Sequence, residues 1–385
     1  MLKWLFYFCI FTLSLGQLVS IFKGGDANLY IFDFVVAAFC AYGLFYFLAI
    51  KKKFVFPKYS IPFLFFILIA LVSLIRVFPN YSNAEWFISG SYLLRWVVYF
   101  LSGVVVFNMK ENKMINKSEI IKTFVYSAVF VSVAGFIQLA LLPDFEVLDK
   151  SLGWDPHKNR LASTFFDPNF VACYLVLIVA LVLDNIEKVN KLALLLVVTA
   201  IFLTFSRSGW LMLGVVIFIY GIFKSRWLLS LSLFVVFLAY FAVPRVQTRI
   251  AGTTDPADSA RFRVVSWQNT LQIARDNWFL GTGFNTFRYV QKDYGFLDPD
   301  TFLEHGGAGS DSSLLFVLAT TGVFGFIFYI LGFMYPFLKW NKSLVLPSML
   351  GGLFVESQFI NSLFYPQIMF LLFSVLYLNH SFSRK

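Results

Sequence analysis

This sequence predicts an all-α, polytopic membrane protein with about twelve transmembrane helices and one long extracytoplasmic loop containing short helices. Composition is the first ground. Of 385 residues, 59% are hydrophobic, 20% aromatic and only 14% charged, and mean hydropathy is +0.75. Soluble domains sit nearer half apolar and a quarter charged. The second ground is spacing: the apolar residues fall into runs of about 20, the helical length that crosses a hydrocarbon core about 30 Å thick. The third is the polar stretch from Pro244 to Ser313, which no other connection approaches in length. Long connections usually carry function, and one facing outward would act against a lipid surface.

Taken in order, spans are expected near 2–21, 30–50, 60–78, 87–108, 120–142, 168–184, 191–206, 209–223, 227–243, 313–338, 343–360 and 363–379. The first begins Met-Leu-Lys and lacks a small-residue cleavage pattern, so it reads as a retained helix rather than a signal peptide. The turn at Ser206–Gly209 is tight enough for a sharp hairpin or a re-entrant feature. Within the long loop, Ser259 through Ala274 carries apolar positions at helical spacing, the pattern of a short amphipathic helix.

Orientation follows from the basic residues. Short connections carrying Lys51, Lys52, Lys53, Lys110, Lys113, Lys117, Lys188, Lys224 and Lys339 fall on one side. The positive-inside rule makes that side cytoplasmic, and long loops are largely exempt from it. Both termini then lie inside and the loop 244–312 outside. A second polar stretch, Asp144 to Asp167, joins it there. The net charge of +10 is dispersed between apolar spans. It therefore suits anionic lipid or phosphate partners rather than nucleic acid. Cys9, Cys40 and Cys173 all sit in apolar runs, without CxxC spacing, so no disulfide framework is expected. The histidines at 157, 305 and 380 are too scattered for a His-based metal site. Fifty phenylalanines exceed any evident packing need, and codon bias is the plainer explanation.

Candidate chemistry rests mainly on arginine. Arg207, in Thr204-Phe205-Ser206-Arg207-Ser208-Gly209, ends one span and begins another with no carboxylate nearby in sequence. A guanidinium there either binds an anionic ligand through its fork of donors or snorkels to a headgroup. Arg95 lies inside the fourth span, where charge is costly; it serves either a ligand or helix carbonyls. Arg261 and Arg263 open the amphipathic helix on different faces. The glycines of Gly281-Thr282-Gly283 permit a sharp turn, but no βαβ context supports a dinucleotide site. His305 and Asp311 bracket a Gly-rich segment before the next span, and either could act as a general base.

Four stretches, in order, are similar to the O-antigen ligase and O-antigen polymerase family of bacterial membrane glycosyltransferases. They are Arg160-Leu161-Ala162-Ser163-Thr164-Phe165 through Pro168-Asn169; Thr204 to Gly209; Arg263 with Trp267 leading to Gly281-Thr282-Gly283-Phe284; and Ser313-Leu314-Leu315 to Gly322. The resemblance covers about 160–335 and divides the chain into N-terminal helices (1–159), a ligase-like core (160–335) and C-terminal helices (336–385). It implies transfer of a glycan from an undecaprenyl-pyrophosphate carrier to an acceptor hydroxyl on a glycan, lipid or protein. Transfer would occur outside the cytoplasmic membrane, with no cofactor, nucleotide sugar or metal. It also implies pyrophosphate binding by Arg207 and a loop arginine, Arg261 or Arg263, with Arg160 and Arg95 as further candidates. Where the family has His-Asn-Ser, this chain has Asp311-Ser312-Ser313, with His305 six residues upstream. The resemblance then leaves three alternatives: His305 reaches in across the Gly-rich stretch, Asp311 does the work itself, or this member is inactive. The rival reading, a lipid-linked oligosaccharide flippase or secondary transporter, needs polar groups along several spans. Only Arg95 and Glu356 stand out as intramembrane charges.

Overall fold

The computed structural model describes residues 1–24, 27–148, 156–184, 189–252, 259–297, 309–338 and 343–378. The chain opens with α1 (Leu2–Leu15), an antiparallel hairpin of β1 (Ser20–Gly24) and β2 (Ala27–Tyr30), and α2 (Ile31–Phe45), which a π-helical turn extends to Ile50. Next come α3 (Ile61–Arg76), α4 (Asn83–Glu111), α5 (Lys117–Leu141), α6 (Pro168–Val182), α7 (Lys191–Leu203), α8 (Arg207–Phe223) and α9 (Arg226–Ala242). The long polar stretch holds α10 (Pro244–Ala251), α11 (Ser259–Asp276) and α12 (Phe287–Asp293). The chain then forms α13 (Ser313–Leu338), α14 (Val345–Glu356) and α15 (Pro366–Leu378). Polar residues placed before apolar runs start several of these helices. Ser82, Asn116, Asp167, Asn190, Ser206 and Ser225 each accept a backbone N–H of the first turn.

Every expected span falls on a helix, and α11 coincides with the expected amphipathic segment. The described residues support a multi-span helical protein, short of the full count of about twelve crossings. Among the described residues five helices are long and apolar enough to cross: Ile31–Ile50, Lys58–Arg76, Asn83–Glu111, Lys117–Leu141 and Ser313–Pro336. A sixth arises if α9 and α10, bent by 98°, form one broken span. The other apolar helices, such as α14 with 12 residues and α8 with 17, are shorter. At 1.5 Å per residue, even 17 residues reach only about 26 Å of a core about 30 Å thick. The reason is that apolar runs continue through turns that end the helix. Gly16, at φ 56°, stops α1 at Leu15 although the apolar run continues to Ile21. The β hairpin is likewise an addition to the expected all-α fold.

α15 packs along α4, α13 along α3, and α14 along α8. Among these helices Trp96, Phe63, Phe66, Phe100, Tyr329 and Phe373 form a closed aromatic cluster, with Phe66–Trp96 centroids at 4.9 Å and Phe63–Phe373 at 5.6 Å. Each such pair adds about 0.5–1.5 kcal/mol beyond its buried area, so many of the phenylalanines do have a packing use. α6 is the central helix: every residue except Asn169 is buried. Outer helices instead expose Phe8, Leu48, Leu68, Ile137, Leu195, Phe218 and Phe237, as lipid-facing surfaces do.

Candidate functional site

The site is a polar junction where the starts of α6, α8 and α13 meet the end of α14. At the first of these, Asp167 caps α6, its Oδ1 accepting the N–H of Asn169 at 2.7 Å. Pro168 takes the first helical position, where its missing N–H costs nothing. The Asn169 Oδ1 then accepts from Arg160 Nη2 at 3.1 Å and from Ser206 Oγ at 2.8 Å. Arg160 Nε donates to the Thr204 carbonyl at 2.9 Å. Two of the sequence motifs, Arg160–Asn169 and Thr204–Gly209, are thus one hydrogen-bonded unit. Gly209 completes it by letting α8 approach α6: a Cβ there would lie 2.4 Å from that of Ala172.

Ser206 caps α8, and Arg207 is its first helical residue. Phe205, at φ 49°, makes the sharp turn before it. Around that turn gather guanidinium groups from α10. Arg249 Nε donates to the Phe205 carbonyl at 3.2 Å, and Arg207 Nη1 donates to the Arg249 carbonyl at 3.3 Å. The Arg245 guanidinium stacks 4.3 Å over the Phe205 ring and donates to the carbonyls of Lys158 and Asn159. A helix N-terminus with several guanidinium groups is suited to an anion: backbone N–H groups and the helix dipole favour negative charge, and each guanidinium fork matches phosphate oxygens.

The start of α13 is held on both sides. Ser266 Oγ of α11 accepts the Asp311 N–H at 3.1 Å, and Thr270 Oγ1 donates to Ser310 Oγ at 2.9 Å. On the other side, Ser313 donates its N–H to the Ser357 carbonyl at 2.8 Å, and Ser312 Oγ donates to Gln358 Oε1 at 3.3 Å. Glu356, just before that turn, is fully buried. Arg263 and Asp167 both lie within electrostatic reach of its carboxyl group. Ser362 and Cys173 also approach it. Even so, neither carboxyl oxygen makes a hydrogen bond of standard geometry among the described residues.

The two remaining motifs also meet in space. The segment Trp278–Gly283 lies against a break in α13, with Thr282 N–H donating to the Ala319 carbonyl, Gly283 N–H to the Thr320 carbonyl, and Val323 N–H to the Trp278 carbonyl. Gly281 (φ +69°) and Gly322 (φ +67°) occupy the left-handed region, and a Cβ on either would fall 2.3 Å from opposing backbone. Only glycine fits such a crossing. These glycines serve the close crossing of the two segments.

Residues 192–330 match the family model described as O-antigen ligase. The chain carries an O-antigen ligase domain over that range. No curated protein matches the chain. The O-antigen ligase domain runs from α7 into α13 and includes Arg207, Arg249, Arg263 and Asp311. Its partners at the junction, Arg160, Asn169 and Glu356, come from flanking sequence.

The candidate residues are distributed unevenly. Arg160 and Arg207 belong to the junction by side-chain contacts and Asp311 by its backbone N–H, while Arg263 lies within electrostatic reach of Glu356. Arg261 is exposed on α11, two residues and thus more than half a helical turn from the half-buried Arg263. His305 lies outside the described residues. Arg95 is engaged elsewhere: it forms an ion pair with Asp33 at 2.9 Å, donates to the Asn28 carbonyl and lies 4.9 Å from the Tyr92 ring. Asp33 also accepts from Tyr99 at 2.9 Å and from the Tyr30 N–H at 3.0 Å, which makes Arg95 part of the fastening between α2 and α4.

Sequence reasoning did not single out Arg245 and Arg249. Their signal was present as two arginines four apart, which share one helical face. Glu356 was noticed only as an intramembrane charge, and nothing in sequence linked it to Arg263. Among the described residues, no three His, Cys, Asp or Glu side chains group as metal ligands.

Proposed function

We propose that this protein transfers a glycan from an undecaprenyl-pyrophosphate carrier to an acceptor hydroxyl on the outer side of the bacterial cytoplasmic membrane, as a metal-independent glycosyltransferase. In this reading Arg207 and Arg263 grip the pyrophosphate, with Arg160, Arg249 and Arg261 adding to the positive field. Asp311 or His305 orients and deprotonates the acceptor. A polytopic membrane protein with an O-antigen ligase domain is consistent with ligase-type glycan transfer. The observation that carries the reading is the junction itself. It gathers guanidinium groups around the start of α8, which Ser206 fastens to Asn169, while Ser357 beside Glu356 holds the start of α13.

The chemistry needs little more. Pyrophosphate leaves readily once its growing charge is stabilised, and fixed cations at a water-poor boundary provide that stabilisation without reorganising. A positioned base typically adds 10²–10⁴-fold. The deciding assay uses purified protein and carrier-linked glycan with a hydroxyl acceptor. Arg207→Lys keeps the charge but loses the paired donors, and transfer should fall by about tenfold or more. Wild-type rates from Arg207→Lys would reduce Arg207 to an interfacial anchor. Wild-type protein that cleaves or joins nothing would remove the glycosyltransferase reading.

A further inference from the structure

A polar cleft lies apart from the junction. It has a volume of about 380 Å³ between the end of α3 with the following turn, which supply Arg76, Asn80 and Tyr81, and the end of α11 with α12, which supply Asn277, Asp293 and Tyr294. That volume is within the range of small-ligand sites. Its walls are fixed beforehand. Arg76 Nη2 donates to the Gly281 carbonyl. The Tyr294 hydroxyl donates to Asp276 Oδ2 at 2.9 Å and accepts from Asn277 Nδ2 at 3.4 Å. The Tyr81 ring packs 5.7 Å from that of Tyr289. Asn80 and Asp293 make no side-chain hydrogen bond or ion pair among the described residues and are exposed at the rim.

This lining narrows the ligand by elimination. A lipid tail would leave the carboxamides and Asp293 unsatisfied. An anion would meet the Asp293 carboxylate, while Arg76 already spends a donor on Gly281. A neutral polyhydroxyl ligand meets neither objection. Its hydroxyls donate to Asp293, exchange bonds with Asn80 and Asn277 and accept from Arg76, and its C–H faces can lie on the tyrosine rings. From Arg263 to the end of α11 is 13 residues of helix, or about 20 Å. The cleft therefore stands several sugar units from the candidate reacting centre.

We propose that the cleft of Arg76, Asn80, Tyr81, Asn277, Asp293 and Tyr294 is a carbohydrate subsite that holds the glycan away from its reacting end. This rests on the glycan-transfer reading, and two readouts separate their failures. The probe is the producing organism's own surface glycan, released from lipid and fractionated by length. Its binding to purified protein is measured directly, and transfer is measured with carrier-linked donors of one repeat and of many.

Asp293→Asn and Asn80→Ala are mild changes at the exposed rim. Each should weaken binding of the long glycan, and Asp293→Asn with Asn80→Ala together by about tenfold or more. KM for long donors should rise while transfer of single repeats stays unchanged. Equal loss for short and long donors, or undiminished binding by the double variant, overturns the subsite. Glycan binding that depends on these residues in a protein that transfers nothing would uphold the subsite and remove only the transfer reading.

Discussion

At Asn169 a single carboxamide oxygen accepts from both Arg160 and Ser206, and through them it fixes the turn that presents Arg207. Removing it leaves a guanidinium donor and a hydroxyl without their partner in a mostly buried place. Such losses cost about 1–3 kcal/mol. Asn169→Ala should therefore lower the thermal stability of the purified protein and weaken donor binding, although Asn169 is not among the residues proposed to grip the donor. If Asn169→Ala melts and transfers like wild type, the network is incidental to the presentation of Arg207. At this scale the sequence was partly legible. It marked Arg207, because a charge at the end of an apolar span stands out, and Arg160, Arg263 and Asp311 by the motifs that hold them. It could not separate Arg95 from that group. The ion pair with Asp33 spans α2 and α4, and its partner is 62 residues away in sequence.

The break in α13 governs the element scale. Gly322 interrupts a 26-residue helix, and Gly281 crosses it where neither has room for a side chain. Ala at either position faces both an unfavourable φ and a clash with backbone that no rotamer relieves. The expected cost is about 2–5 kcal/mol, in the range of severe core lesions. Gly214→Ala on α8 is the control, since a Cβ there meets nothing within 4 Å; it should stay within about 0.5 kcal/mol of wild type. Denaturation monitored in detergent distinguishes them, and a Gly322→Ala variant as stable as Gly214→Ala would refute the crossing. The order of the motifs was readable along the chain, but their purpose was not. Arg160–Asn169 pairs with Thr204–Gly209, and Gly281–Phe284 pairs with Thr320–Gly322, only after the helices pack.

For the whole molecule, the testable matter is orientation. Short basic connections lie on one side in the sequence, and the positive-inside rule makes that side cytoplasmic. Cysteine placed at Arg275 should then react with a membrane-impermeant reagent in intact cells, and cysteine at Lys53 only after lysis. Both positions are exposed, and the native Cys9, Cys40 and Cys173 are buried, so background labelling should be low. The opposite pattern would invert the topology and place the junction inside the cell. The sequence alone determined the membrane class, the position of every apolar helix and the amphipathic α11, because hydropathy and 3.6-residue periodicity are local properties of the chain. Tertiary structure decided which apolar helices are long enough to cross, since turns such as Gly16 end helices inside apolar runs. It also decided which polar residues share a site. Ser206 reaches Asn169, and Arg95 reaches Asp33, across distances in sequence that only packing can close.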